Sequence, residues 1–178
     1  LATLFGDKWH LISSLIYGGT LVFLYGASTC YHIARTRRMK DILRLVDHVA
    51  ILLLIAGSYT PFTMVFMRDG WGWTLLGLIW GLAIAGLCFK VFSEHRFHWG
   101  ATAIYLLMGW ISVLFIQPMW AAIPTGAMIL LIAGGLAYTG GVIFFGWHSL
   151  PYSHAIWHLF VLAGSVLHYI AVVLYVLP

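Results

Sequence analysis

The sequence predicts an all-α protein, a polytopic transmembrane helix bundle, and three observations carry that expectation. Of the 178 residues, 62% are hydrophobic and only 8% charged, against about 25% charged in an ordinary soluble domain. Its apolar runs match the roughly 20 helical residues needed to cross a bilayer core. The connections between the runs are short, the longest being "ARTRRMKDILRL" at 34–45.

Six spans follow, at 9–33, 46–67, 71–91, 99–117, 120–145 and 153–177, making a single integral membrane domain over 1–178. Tryptophans 9, 71, 99 and 120 fall near span ends, where an interfacial aromatic belt places them. In the second span, Pro61 of "GSYTPF" predicts a kink, with a lipid-chain pocket beside it as the alternative. The "AGG" and "GG" runs of the fifth span read as helix-packing surfaces. The opening "LATLF" is too short to span and reads as the tail of an earlier helix, which would make six spans of a seven-span parent. No signal peptide is recognisable. Cys30 and Cys88 both lie inside apolar runs, which argues against a disulfide framework.

The net charge of +4 sits beside the spans, which accounts for it as membrane-surface charge and not a nucleic-acid footprint. One side of the bundle collects Arg35, Arg37, Arg38, Lys40, Arg44, Lys90 and Arg96, and the other only Lys8 and Arg68. That asymmetry predicts that the connections at 34–45, 91–98 and 146–152 face the cytoplasm and that the C-terminus lies outside, as in a bacterial inner-membrane protein.

Ionisable side chains inside a span are costly and by default mark function. His32 closes the first span, Asp47 and His48 open the second, and His154 and His158 of "SHAIWH" open the sixth, all at the same leaflet. Side chains at i and i+4 share a helical face about 6 Å apart, so His154 and His158 can hold one ion, and His32 completes a three-histidine set. Three imidazoles leave one tetrahedral position open, the layout in which zinc activates water. Asp47 is placed to take or hold a proton there, and Ser28, one turn before His32, to orient a ligand or the water. Plainer readings stand beside these. An HxxxH pair at an interface can hydrogen-bond headgroups or neighbouring helices, Asp47 can cap its helix, and Ser28 can be a small packing residue. Of the other histidines, His168 lies about 15 Å deeper and bonds within the bundle. His10 is at the far end, His48 points away from Asp47, and His95, His98 and His148 belong to connections, so all are left out of the metal set.

The stretches "STCYH", "LRLVDHVAILLLIAGSYTPF", "YLLMGW" and "SHAIWHLFVLAGSVLHY", in that order over nearly the whole chain, resemble the bacterial haemolysin III branch of the progestin and adipoQ receptor superfamily. The resemblance implies seven helices with the N-terminus inside and a zinc ion near the cytoplasmic leaflet. By position the zinc ligands are His32, His154 and His158, accompanied by Ser28 and Asp47. Relatives of this kind are similar to lipid amide hydrolases that cleave ceramides, so a zinc-dependent amide hydrolase acting on a membrane lipid is the expected activity. The alternative is a receptor or membrane-homeostasis protein in which zinc is structural. A haem carrier ranks behind both, because axial histidines would come from separate helices.

Overall fold

The computed structural model describes residues 7–92, 98–147 and 149–177. Those residues form helices α1 (Lys8–Ile33), α2 (Arg37–Phe66), α3 (Gly70–Phe92), α4 (His98–Trp110), α5 (Ile116–Ala122), α6 (Thr125–Gly146) and α7 (Ser153–Tyr175), with a 3₁₀ turn at Ile111–Phe115. The α4–3₁₀–α5 run acts as one crossing over Gly100–Ala122, and with the other five long helices it makes six segments long and apolar enough to span a membrane. Side chains such as Leu15, Val22, Leu114 and Leu159 remain exposed on the outside of the bundle, as lipid-facing positions require. The expected segments "LATLF", His95 and His148, and the side chain of His98, lie outside the described residues.

Two spans differ from expectation, each for a local reason. The second was expected from residue 46, whereas α2 starts at Arg37. Hydropathy stops at the charged stretch, but Arg, Met, Lys and Leu are good helix formers, and the Thr36 hydroxyl caps the new start by accepting from the Met39 N–H at 3.3 Å. At 30 residues α2 measures about 45 Å, so its first turns reach past the hydrocarbon core. The break expected near 117–120 also moves. Pro118, lacking an N–H, disturbs the ladder enough that the preceding turn tightens to 3₁₀, yet the chain carries on to Ala122 and turns only at Pro124. Trp120 therefore belongs to the end of the fourth crossing and not to the start of the fifth.

α2 is the central element: 56% of its apolar window is buried, against 17–22% for the other five spans. α1 and α3 pack on it, and α6 pairs with α7. Close approach depends on missing side chains. A methyl at Gly57 of α2 would overlap the Thr20 side chain of α1, and one at Gly134 of α6 would overlap the His168 ring of α7. The "AGG" of the fifth span thus does serve packing, through Gly134, while Gly135 has open space beside it. Gly134→Ala is expected to destabilise the fold by roughly 1–3 kcal/mol, as overpacking does, seen as an earlier loss of monodispersity on heating in detergent; Gly135→Ala should be silent.

At the end opposite the arginine-rich one, Asp7 caps α1, accepting from the Trp9 N–H at 2.9 Å and the His10 N–H at 3.3 Å. Its carboxylate also meets His10 Nδ1 at 2.8 Å and an Arg68 guanidinium nitrogen at 2.6 Å. The His10 contact, with Arg68 behind it, holds the Asp7 carboxyl well below the usual carboxylate range. These contacts tie the start of α1 to the α2–α3 connection and keep His10 at this end, far from the other histidines, as the sequence placed it.

Candidate metal centre and membrane cavity

Three histidines meet where α1 ends and α7 begins. His32 occupies the last turn of α1, and His154 and His158 the first two turns of α7. The Nε2 atoms of His32 and His158 stand 3.2 Å apart, those of His158 and His154 3.0 Å, and one ligand atom from each lies within 4.8 Å of the others. A neutral imidazole that carries its proton on Nδ1 keeps the Nε2 lone pair free for a metal. A tetrahedral site with Zn–N bonds of about 2.05 Å sets its nitrogens about 3.3 Å apart, close to these spacings. The set can therefore hold one metal ion. Tyr31 stands edge-on to His32 at 5.0 Å between ring centroids, and Trp157 lies 5.2 and 4.5 Å from the rings of His154 and His158, so aromatic rings limit how far the imidazoles can swing.

Asp47 sits beside this group, buried to 8% exposure, ten residues inside α2. That depth overturns the helix-cap reading, since the cap is Thr36 and capping acts only at the first turn. The Asp47 carboxylate accepts a hydrogen bond from the Ser28 hydroxyl and lies close enough to His32 to interact with it electrostatically. The structure thus brings together all five residues singled out by the sequence: His32, His154 and His158 as one cluster, with Ser28 and Asp47 adjoining it.

Ser28, Asp47 and His158 also form one end of a cavity of 240 Å³, which runs through the bundle towards Met67, Met119 and Ile123. Its wall is aliphatic and aromatic for most of that length, and Ser58, Tyr59, Phe62 and Thr63 border it around Pro61, so a pocket does lie beside the proline. Many polar groups on the wall are already engaged. Tyr59 donates its hydroxyl to the carbonyls of Met108 and Gly109 at 3.0 and 2.7 Å, the Trp110 indole donates to Thr139 at 2.9 Å, and Tyr105 donates to the His48 carbonyl at 3.2 Å. The result is a slot suited to a hydrocarbon chain, with its most polar end at the histidines.

His168 meets the Leu131 carbonyl through Nε2 at 3.1 Å and stays apart from the metal set, as expected from its depth. Sequence reading missed the cavity wall itself, including Tyr105, Tyr138 and Lys90. Lys90 had one usable signal: it is the only cation inside the predicted third span, yet it reads there as a connection charge.

Comparison with known proteins agrees with the motifs. The family model described as Haemolysin-III related matches residues 1–169. The chain is 43% identical over 173 residues to Hemolysin-3 of Bacillus cereus, covering 97% of this chain and 79% of that one. It is 40% identical over 171 residues to a Hemolysin-3 homolog of Bacillus subtilis (96% and 80% covered). The human Monocyte to macrophage differentiation factor is 30% identical over 172 residues (93% and 71% covered). No solved structure matches. With the match running through the helices that carry the three histidines, Ser28 and Asp47, this chain belongs to the haemolysin-III-related family of integral membrane proteins.

Proposed function

We propose that the protein is a zinc-dependent hydrolase that cleaves an amide bond in a membrane lipid, working at the cytoplasmic leaflet of the plasma membrane. The observation that carries this is the convergence of three imidazole nitrogens beside a buried aspartate and serine at the polar end of an apolar cavity. Zinc is favoured for a set of three imidazoles without thiolates, and when bound it supplies a Lewis acid for the scissile carbonyl and acidifies water.

The residues divide the remaining work. His32, His154 and His158 are the ligands. The Asp47 carboxylate accepts a proton from the attacking water as the C–O bond forms, and returns it to the amine nitrogen as the C–N bond breaks. Ser28 holds that carboxylate in place through its hydroxyl. The cavity takes up the acyl chain and keeps bulk water away from it. The arginine-rich side, with Arg35, Arg37, Arg38, Lys40 and Arg44, favours the cytoplasmic placement.

The test is hydrolysis of a fluorogenic long-chain N-acyl amide by the purified chain after chelation and after zinc is restored. Activity that disappears with the metal and returns with it is expected. A zinc-loaded protein with no turnover on any lipid amide would sink the hydrolase reading.

One observation favours a second reading, a receptor or membrane-homeostasis protein with structural zinc. α1 packs mainly on α2 and α7 mainly on α6, so an ion held by His32, His154 and His158 would staple together two helices that share little other contact. In that case chelation would lower the thermal stability sharply with no catalysis to lose.

A further inference from the structure

We infer that the interior face of α1 is a hydrated proton path, running from the Asp7 end of the bundle to the cavity. His10, Ser14, Tyr17, Leu21, Tyr25 and Ser28 follow one another at spacings of three or four residues, so they share one face of α1. Only Leu21 among them lacks a hydroxyl or an imidazole. The face turns inward, with Tyr17 only 2% exposed, while Leu15 and Val22 meet lipid on other faces. From His10 to Ser28 it rises about 27 Å, most of a hydrocarbon core of about 30 Å.

Polar groups at this depth are costly unless each finds a partner. Several here do not find one in the protein. Among the described residues, the Ser14 and Tyr17 hydroxyls and the Nδ1 atom of His168 are shielded from bulk solvent and have no hydrogen-bond partner. His168 donates through Nε2 to the Leu131 carbonyl, which leaves Nδ1 as a bare acceptor. Groups in that state are ordinarily satisfied by internal water.

The apolar step at Leu21 is bridged from two other helices. Tyr138 of α6 and Ser165 of α7 share a hydrogen bond of 2.8 Å between their hydroxyls. Tyr17 has Tyr138 and Tyr25 as electrostatic neighbours, and Ser165 lies beside Tyr25. The His168 ring stands edge-on to Tyr138 at 5.5 Å between centroids. Hydroxyls from three helices thus meet around Tyr17 and Tyr25. Tyr25, Tyr138 and His168 also border the cavity, whose 240 Å³ has room for several waters at about 10–15 Å³ each. Along such a chain each oxygen accepts one proton on a lone pair and releases another to the next, so no group keeps a charge. Neither the metal nor hydrolysis is needed for this path.

The experiment reconstitutes the full chain in liposomes that enclose a pH-sensitive dye and drives protons inward with a potassium diffusion potential. Wild-type liposomes should acidify faster than protein-free ones. Tyr17→Phe, which removes one hydroxyl and keeps the ring, should bring the rate down to the protein-free level. Leu21→Ser, which puts a hydroxyl at the apolar step, should raise it above the wild type. Ser14→Ala repeats the loss at a second hydroxyl should Tyr17→Phe fail to reconstitute. Radiolytic hydroxyl-radical labelling, which marks rings next to bound water, should mark Tyr17 more heavily than Phe115, a ring buried to a similar degree. A wild-type rate equal to that of protein-free liposomes, or one that Tyr17→Phe leaves unchanged, overturns the inference. Labelling of Tyr17 without proton flux leaves internal water only and overturns the path as well.

Discussion

Replacing His158 with alanine is expected to remove both zinc and activity. His158 is the shared member of the cluster, 3.2 Å from His32 and 3.0 Å from His154 through the same Nε2 atom, so its loss leaves two ligands on separate helices. Losing an outer-shell partner of a metal ligand costs about 10–100-fold in affinity, and losing the ligand itself should exceed the upper end of that range. Zinc content after gel filtration in a weak chelator is the readout, with amide hydrolysis alongside. His168→Ala serves as the control, because His168 bonds the Leu131 carbonyl and takes no part in the cluster. Its zinc content should match the wild type. If both variants lose metal to the same degree, the effect is one of folding and the assignment of ligands fails.

Asp47→Asn is expected to separate binding from chemistry. The amide keeps the size of the side chain and its ability to meet the Ser28 hydroxyl, but it cannot accept a proton from water. Removing a general base of this kind typically costs about 10²–10⁴-fold in rate, while zinc stoichiometry should stay at the wild-type level. The turnover number should fall, with the KM for the lipid amide changing little, since the acyl chain is held by the cavity. Ser28→Ala should show a smaller fall in the same direction. A variant Asp47→Asn with undiminished turnover would mean that Asp47 serves packing and electrostatics only.

How much of this was legible beforehand depends on which physical signal each feature leaves in the chain. The crossings were readable because a bilayer core imposes a length and an apolar composition on every helix. The clustering of the three histidines was readable because His154 and His158 have helical i, i+4 spacing, and because alternating crossings return His32, Asp47 and that pair to one end of the bundle. The start of α2 was not, because its first turns leave the hydrocarbon and follow helix propensity and the Thr36 cap instead of hydropathy. The turn between the fourth and fifth crossings was misplaced because two prolines compete for it, and Pro118 is absorbed by a 3₁₀ turn while Pro124 ends the crossing. The cavity was the least legible feature. It is space left between helices, so residues as separate as Ser28, Lys90, Tyr105 and Tyr138 share its wall without any common spacing. Pro61 hinted at a pocket but could not show its extent.

The most direct test of the central claim, a metal held by three imidazoles, is zinc-edge X-ray absorption on the purified, zinc-loaded protein in detergent. The account predicts a first shell of nitrogen and oxygen only, with three imidazole scatterers at about 2.0–2.1 Å and loss of one of them in His32→Ala. A sulfur shell at about 2.3 Å, or a first shell unchanged by His32→Ala, would contradict it.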